Sequence, residues 1–311
     1  MIDTHCHLTF PQYEGRLGQV LRDAEAEGVT GAISISTTHR DAASALKLAE
    51  KYKNVWCSAG VHPLYSHEGP HDWGEIERVI RHPRCVAWGE LGLDNHYDNP
   101  PKATQLKVLE EQLGVIARAL PEVDKPVVIH CREAYGELIP ILEQSRIAPE
   151  RFVFHCFTSD ADDARRCLDF GAMLSFTGMV TFKSAHATRE ALKLAPLDRI
   201  MVETDAPSMT PEPYRKIKTC EPKFSAVTAR FIAQTRGEDW ELSTSADQQK
   251  RTYQNLRSAV ALTDLVHDGK AARRPLQHES YNDYMGRVID SHRHTSGFDG
   301  AHHYQQGNDA L

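Results

Sequence analysis

The sequence predicts an α/β protein built as a (β/α)8 TIM barrel, on three observations. Short β-branched and apolar runs alternate with longer amphipathic stretches, the alternation repeats eight times, and 311 residues accommodate one barrel of about 250 residues with an appendage. The strands are expected at 2–7, 29–35, 55–61, 85–90, 126–130, 151–155, 172–176 and 199–203. The helices are expected near 15–27, 39–52, 72–81, 102–119, 133–144, 160–169, 186–194 and 223–236. Strands near five residues separated by helices of ten or more define βαβ units and hence a parallel sheet. A long succession of such units favours a closed barrel over an open doubly wound sheet. The seventh unit fits least well, because 183–194 carries a poor helical stripe.

No linker, repeat or low-complexity block interrupts residues 1–262, which are read as the barrel domain. From Asp264 the chain turns polar and His-rich (His267, His278, His292, His294, His302, His303). Residues 263–311 are therefore expected to form a loosely packed or disordered extension, with a short helix over 281–289 as the alternative. Hydrophobic residues at 41% and charged residues at 25% exclude a wholly disordered or collagenous chain. No apolar run approaches the roughly 18 residues that span a bilayer. Met1-Ile2-Asp3-Thr4-His5 lacks the basic and apolar regions of a secretory signal. Seven cysteines without a C-x-x-C read as reduced thiols, so a soluble, cytoplasmic protein is expected. A net charge of −7 argues against an electrostatic nucleic-acid coat. It is compatible with a phosphate-directed enzyme, since divalent cations can supply the positive charge.

Six residues carry the expected chemistry: His5, His7, Glu90, His130, His155 and Asp205. His5 and His7, two apart on a strand, share a face. Taken alone, an H-x-H in a chain with 17 histidines arises by chance, as His292-x-His294 in the tail illustrates. Position distinguishes the first pair, which ends the first expected strand. Glu90, His130 and His155 likewise close strands four, five and six, and Asp205 follows strand eight. Strand C-termini of a parallel barrel open on one face, and that face carries the active site. A polar residue ending one strand is as readily a hydrogen-bonded turn residue; six converging donors without a cation would leave buried charges unpaired. Four imidazoles and two carboxylates suit Zn²⁺ or Mn²⁺, and two metals sharing a bridging carboxylate would use the whole set.

The blocks around these residues carry a resemblance. Asp3-Thr4-His5-Cys6-His7-Leu8, Gly60-Val61-His62-Pro63, Gly89-Glu90-Leu91-Gly92-Leu93-Asp94, His130-Cys131-Arg132-Glu133-Ala134, His155-Cys156-Phe157 and Glu203-Thr204-Asp205-Ala206-Pro207 resemble, in order, the signature blocks of the TatD family of metal-dependent hydrolases, within the amidohydrolase superfamily. The resemblance runs from residue 1 to about 262, ending in an expected helix around 248–262. It implies a barrel with two divalent ions (Zn²⁺, Mn²⁺ or Mg²⁺) and hydrolysis of DNA phosphodiesters, typically as a 3′→5′ exonuclease, with RNA cleavage in some members. The implied partner is DNA, single-stranded or at 3′ ends, with neither a membrane nor an obligate protein partner.

Carried over by residue, His5, His7 and Asp205 would hold one metal and His130 and His155 the other, with Glu90 bridging. Asp205, beside the attacking water, would accept its proton. His62 and Arg132 are assigned to phosphate, and Glu203 to orienting a ligand or a basic partner. Structural readings stand beside these: His62 could cap a strand, Arg132 could pair with Glu133 or Asp94, and Asp94 is expected to close a turn. His39, His67, His71, His82, His96 and His186 are read as surface or loop residues, and strand alternation turns Cys6, Cys131 and Cys156 away from the neighbouring donors. Tyr214-Arg215-Lys216-Ile217-Lys218, just past strand eight, reads equally as a nucleic-acid track or a solvated loop. The chain departs from the family pattern at Lys216, Cys220, Met209 and Glu133, which leaves the metal set intact and the substrate preference open. Two alternatives accompany this reading: hydrolysis of a small ester, lactone, cyclic amide or phosphate ester, and a non-enzymatic metal-stabilised scaffold whose tail recruits a partner.

Overall fold

Eight short runs become eight parallel strands hydrogen-bonded in chain order: β1 Ile2–Cys6, β2 Gly31–Ser34, β3 Val55–Ala59, β4 Cys85–Asp94, β5 Val127–Arg132, β6 Phe152–Phe154, β7 Met173–Phe176 and β8 Ile200–Val202. The structure, a computed structural model of the chain, describes residues 1–237. The expected boundary at 262, the helix over 248–262 and the extension 263–311 lie outside the described residues. A parallel bridge between Cys6 and Ala206 brings the end of β1 against the segment after β8, nearly closing the barrel. The helices are α1 Leu17–Ala26, α2 His39–Lys51, α3 Trp73–Ile80, α4 Lys102–Ala119, α5 Tyr135–Gln144, α6 Ala161–Phe170, α7 His186–Leu194 and α8 Ser225–Thr235.

The helix expected near 186–194 forms as α7, which buries Thr188, Ala191 and Leu192 on one side; residues 183–185 precede it, which accounts for the poor stripe over 183–194. One difference from the sequence reading has a local cause. The fourth strand does not close at Glu90 but runs on to Asp94, paired residue by residue with β5 from Leu91–Ile129 to Asp94–Arg132.

One residue or more from every strand fills the barrel interior, among them Ile2, Ile33, Trp56, Val86, Val128, Val153, Met173 and Met201. A larger apolar layer, including Trp88, Phe152, Phe154 and Phe176, packs between strands and helices. At about 25 cal/mol per Å² of apolar area, these two layers are the main favourable term holding the rim in place. Among the described residues, no helix is long and apolar enough to cross a membrane.

Candidate metal centre

The period of the strands lifts the donors to one height. Two residues beyond the interior Val128, Val153 and Met201, on the same faces, stand His130, His155 and Glu203. Pairing of β1 slips between Asp3 and Cys6, and His5 and His7 turn in to join them. β4 carries one extra residue against β5 between Trp88 and Leu91, a bulge that aims Glu90 into the same space. Beyond β8, the Asp205 N–H donates to the His5 carbonyl at 2.9 Å and the His7 N–H to the Ala206 carbonyl at 2.7 Å, fixing Asp205 against β1. Asp205, Glu133 and Cys156 have φ of 57°, 54° and 44°, so three non-glycine residues on this rim hold the left-handed conformation. For Cys156 this corrects the alternation argument: β6 ends at Phe154, and the Cys156 Sγ lies 3.5 Å from Thr177 Oγ1.

All six expected donors meet. His155 Nε2 and His130 Nδ1 lie 2.6 and 2.9 Å from Glu90 Oε1, and His5 Nε2 lies 3.3 Å from Glu90 Oε2. Asp205 Oδ1 lies 3.3 Å from His7 Nε2 and 3.5 Å from His5 Nε2. The His5 and His155 rings stack with centroids 3.9 Å apart. Donor atoms fall into three sets that could each hold an ion: His5, His7 and Glu90; His5, His155 and Glu203; His62, Glu90 and His130. His62, expected beside the cage, thus sits within it, with Nε2 3.4 Å from Glu90 Oε1 and 3.1 Å from His130 Nδ1.

The far side of each ring shows which nitrogen faces inward. His7 Nδ1–H donates to the Ile35 carbonyl at 3.0 Å, and His130 Nε2–H to Asp94 Oδ2 at 2.9 Å. His155 Nδ1 faces Glu203 Oε1 at 3.4 Å. Neutral rings held this way would turn lone pairs toward Glu90 and Asp205, acceptor against acceptor, so these close approaches call for a proton or a cation between nitrogen and oxygen. Among the described residues, both His5 nitrogens and Glu90 Oε2 are buried without a hydrogen-bond partner. Each such atom costs about 1–3 kcal/mol, and a cation between His5 Nε2 and Glu90 Oε2, 3.3 Å apart, would satisfy those two together. The donor set fits divalent metal. Carboxylate or carbonyl partners behind metal-facing imidazoles are the usual means of fixing tautomer and orientation.

Electrostatics agree. Burial disfavours an ionised Glu90, but His155, His62 and His5 hold its carboxyl well below the usual range. Burial likewise opposes a charged His155, yet Glu90 and Glu203 carry that imidazole well above its ordinary value. His130 is also raised, by Asp94 and Glu90 acting against burial. Protons on these rings thus stand where cations would. His62 behaves oppositely: burial, reinforced by His130, pushes it down to about 4 despite Glu90. With Nδ1 accepting from the Leu64 N–H at 3.0 Å, neutral His62 offers Nε2–H to the centre.

Several supporting residues differ from expectation. Asp94 does more than close a turn: 1% exposed, it accepts from His130 and from the His96 N–H at 3.0 Å. Arg132 pairs with neither Glu133 nor Asp94; it lies 5.2 Å over the Tyr97 ring and 3.4 Å from its hydroxyl, while Glu133 meets His96 at 2.8 Å. Glu203 accepts from the Cys156 N–H at 2.7 Å and from Ser175 Oγ at 2.6 Å, which fits an orienting residue. His67, His96 and His186 are exposed, and His39, His71 and His82 half-buried. Gln105 and Gln112 of α4 escaped the sequence reading. Gln105 brackets the Asp94 backbone at 2.8 and 2.9 Å, and Gln112 the Val61 backbone, next to His62, at the same two distances. The available signal was two amides seven apart on the apolar face of one helix.

An eight-stranded parallel barrel with this nitrogen and carboxylate cluster at its C-terminal rim is the architecture of a metal-dependent hydrolase. The chain belongs to the TatD family: the family model described as TatD related DNase matches residues 2–258. It is 33% identical over 256 residues to the uncharacterized metal-dependent hydrolase YabD of Bacillus subtilis, covering 81% of this chain and 98% of that one. It is 34% identical over 245 residues to the 3′-5′ ssDNA/RNA exonuclease TatD of Edwardsiella piscicida, covering 77% and 93%. Among solved structures it is similar to YJJV, a TatD homolog from Escherichia coli K12, with TM-score 0.72 and 28% identity over 82% of this chain and 97% of that one.

Proposed function

We propose that the chain hydrolyses phosphodiester bonds in nucleic acid, releasing nucleotides from the 3′ ends of single-stranded DNA and, secondarily, of RNA. The observation that carries this reading is the convergence of His5, His7, His130 and His155 on the carboxylates of Glu90 and Asp205, nitrogen and oxygen donors that protons or cations must hold together. The exonuclease named above, 34% identical, supports the choice of substrate. His5, His7 and Asp205 would hold one divalent ion, His130 and His155 the second, and Glu90, whose two oxygens face different histidines, would bridge. Zn²⁺, Mn²⁺ and Mg²⁺ all accept such donors in varying degree. When bound, such ions lower the pKa of water from about 15.7 towards about 7 and offset charge on the attacking and leaving oxygens.

The chain's own groups do the rest. The Asp205 side chain is 16% exposed, against 1% for Glu90, so Asp205 is the carboxylate that reaches the mouth and takes the proton from the attacking water. Burial opposes its ionisation, but His7 and His5 keep its carboxyl below the usual range, ready to accept. His62 donates Nε2–H to a phosphate oxygen, and the Arg132 guanidinium, held on Tyr97, binds the same or the adjacent phosphate. The free thiols of all seven cysteines support the cytoplasm as the place of action.

The test is release of nucleotides from 5′-labelled single-stranded DNA with Mn²⁺ or Mg²⁺. Glu90→Ala, removing the bridge, is expected to lower the rate at least 1,000-fold, in line with loss of electrostatic stabilisation at a buried site. Equal release by wild type and variant rejects the assignment.

A further inference from the structure

The loops after β7 and β8, on the face of the barrel that carries Asp205, hold a patch that the hydrolytic centre does not use. From the loops after β7 and β8 it gathers Phe182, Lys183, Tyr214, Arg215, Lys216 and Lys218. The Arg215 guanidinium lies 3.7 Å over the Phe182 ring, joining the two loops, and the Tyr214 ring packs on Phe224 at 5.3 Å. Tyr214 and the neighbouring Ile217 are 43% and 44% exposed, two of the four exposed large hydrophobic residues among those described.

The backbone beneath this patch is pinned. The Tyr214 N–H donates to the Pro211 carbonyl at 2.8 Å, Ile217 N–H to Tyr214 at 2.8 Å, Cys220 N–H to Pro207 at 2.9 Å, and Thr210 Oγ1 to the Ile217 carbonyl at 3.0 Å. The Glu212 N–H donates to Thr181 Oγ1 at 2.8 Å, and a Cβ added to Gly178 would stand 2.1 Å from the Met209 carbonyl, so the two loops interlock. Nearby, Lys223 pairs with Glu221 at 2.7 Å, whereas among the described residues Lys183, Arg215, Lys216 and Lys218 have no carboxylate partner. A chain of net charge −7 thus holds four unneutralised cations, interleaved with aromatic rings, on the loops after β7 and β8, the second of which also carries Asp205. Cations that follow a phosphate backbone, with rings on which bases stack, are the recognition elements for a single strand.

We propose that this patch is a track for single-stranded nucleic acid, holding the strand that leads away from the scissile phosphodiester. The proposal rests on the nuclease reading for its substrate. Lys183, Lys216 and Lys218 neutralise successive phosphates, Tyr214 stacks a base, and Arg215, flattened on Phe182, bridges the two loops.

The test uses the full-length chain, a dinucleotide and a 15-nucleotide oligothymidylate, with anisotropy of the labelled 15-mer on Glu90→Gln protein. Lys216→Glu/Lys218→Glu is expected to raise KM for the 15-mer at least tenfold, to leave dinucleotide turnover within twofold of wild type, and to flatten the salt dependence of log K by about 1.4, at roughly 0.7 per lost phosphate contact. Tyr214→Ala should weaken 15-mer binding about tenfold while leaving an abasic 15-mer unaffected. If the protein cleaves DNA and these variants keep wild-type KM, Kd and salt slope, the track is refuted while the nuclease reading stands. If the wild type cleaves no nucleic acid, the nuclease reading falls and anisotropy alone decides: binding lost in the variants supports the track, whereas binding equal in all proteins, or absent, overturns it.

Discussion

Asp94 shows how much of the centre depends on a residue outside it. Its carboxylate takes the Nε2–H of His130 at 2.9 Å, so that Nδ1 faces Glu90. Without that acceptor the ring is free to change tautomer or swing. Asp94→Ala is therefore expected to weaken divalent-metal affinity about 10- to 100-fold, measured by chelator competition, with the barrel still folded. Affinity unchanged within twofold would mean that His130 is oriented by something else. The sequence made the six donors legible because each stands at or just past the end of an expected strand, although β4 and β5 run on beyond Glu90 and His130. It concealed Asp94, which lies four residues beyond Glu90 in a strand expected to stop there. His62 was visible as a motif residue, but its place inside the cluster is set by the segment after β3, where its N–H donates to the Thr37 carbonyl at 2.9 Å, which spacing does not encode.

At the scale of elements, the barrel's strands and helices were legible because apolar runs of near-constant length alternate with amphipathic ones. The irregularities that build the site were not. The slip in β1 and the bulge in β4 leave the apolar pattern intact while changing which side chains point inward. Gly92 marks where they matter. With φ of 148°, a Cβ there would stand 1.9 Å from the His130 carbonyl oxygen, the backbone that carries a metal donor. Gly92→Ala should destabilise the fold by about 1–3 kcal/mol, typical of overpacking, and shift His130 as well. Thermal melts and metal affinity read the two effects together; a variant normal in both would show that β4 and β5 part without cost. Gln105 and Gln112 belong to the same scale, since one helix holds the ends of two strands through them.

Across the whole molecule, the centre concentrates like charge that only protons or cations relieve. His130 and His155 titrate above the usual imidazole value of about 6.5 when no cation is bound, held up against burial by Asp94, Glu90 and Glu203. The sign follows from linkage: their protons stabilise the cation-free fold fully below the unfolded value, and that stabilisation is lost as pH rises through the raised values. Metal must displace the same protons, so it binds more tightly as pH rises. Cation at 100 times its dissociation constant adds about 2.7 kcal/mol, or several degrees in Tm. The gap in Tm between loaded and cation-free protein should widen from pH 6 to pH 8. A gap that narrows would place metal binding away from these histidines.

Hydrolysis at this rim requires first that cations gather there. Elemental analysis of protein equilibrated with Mn²⁺ or Zn²⁺, combined with anomalous scattering from the loaded crystal, tests it most directly. Two ions per chain, with peaks flanking the Glu90 carboxylate and lost in Glu90→Ala, is the expected result. A chain that takes up no divalent ion, or takes it up elsewhere with the rim empty, has no metal centre at these residues.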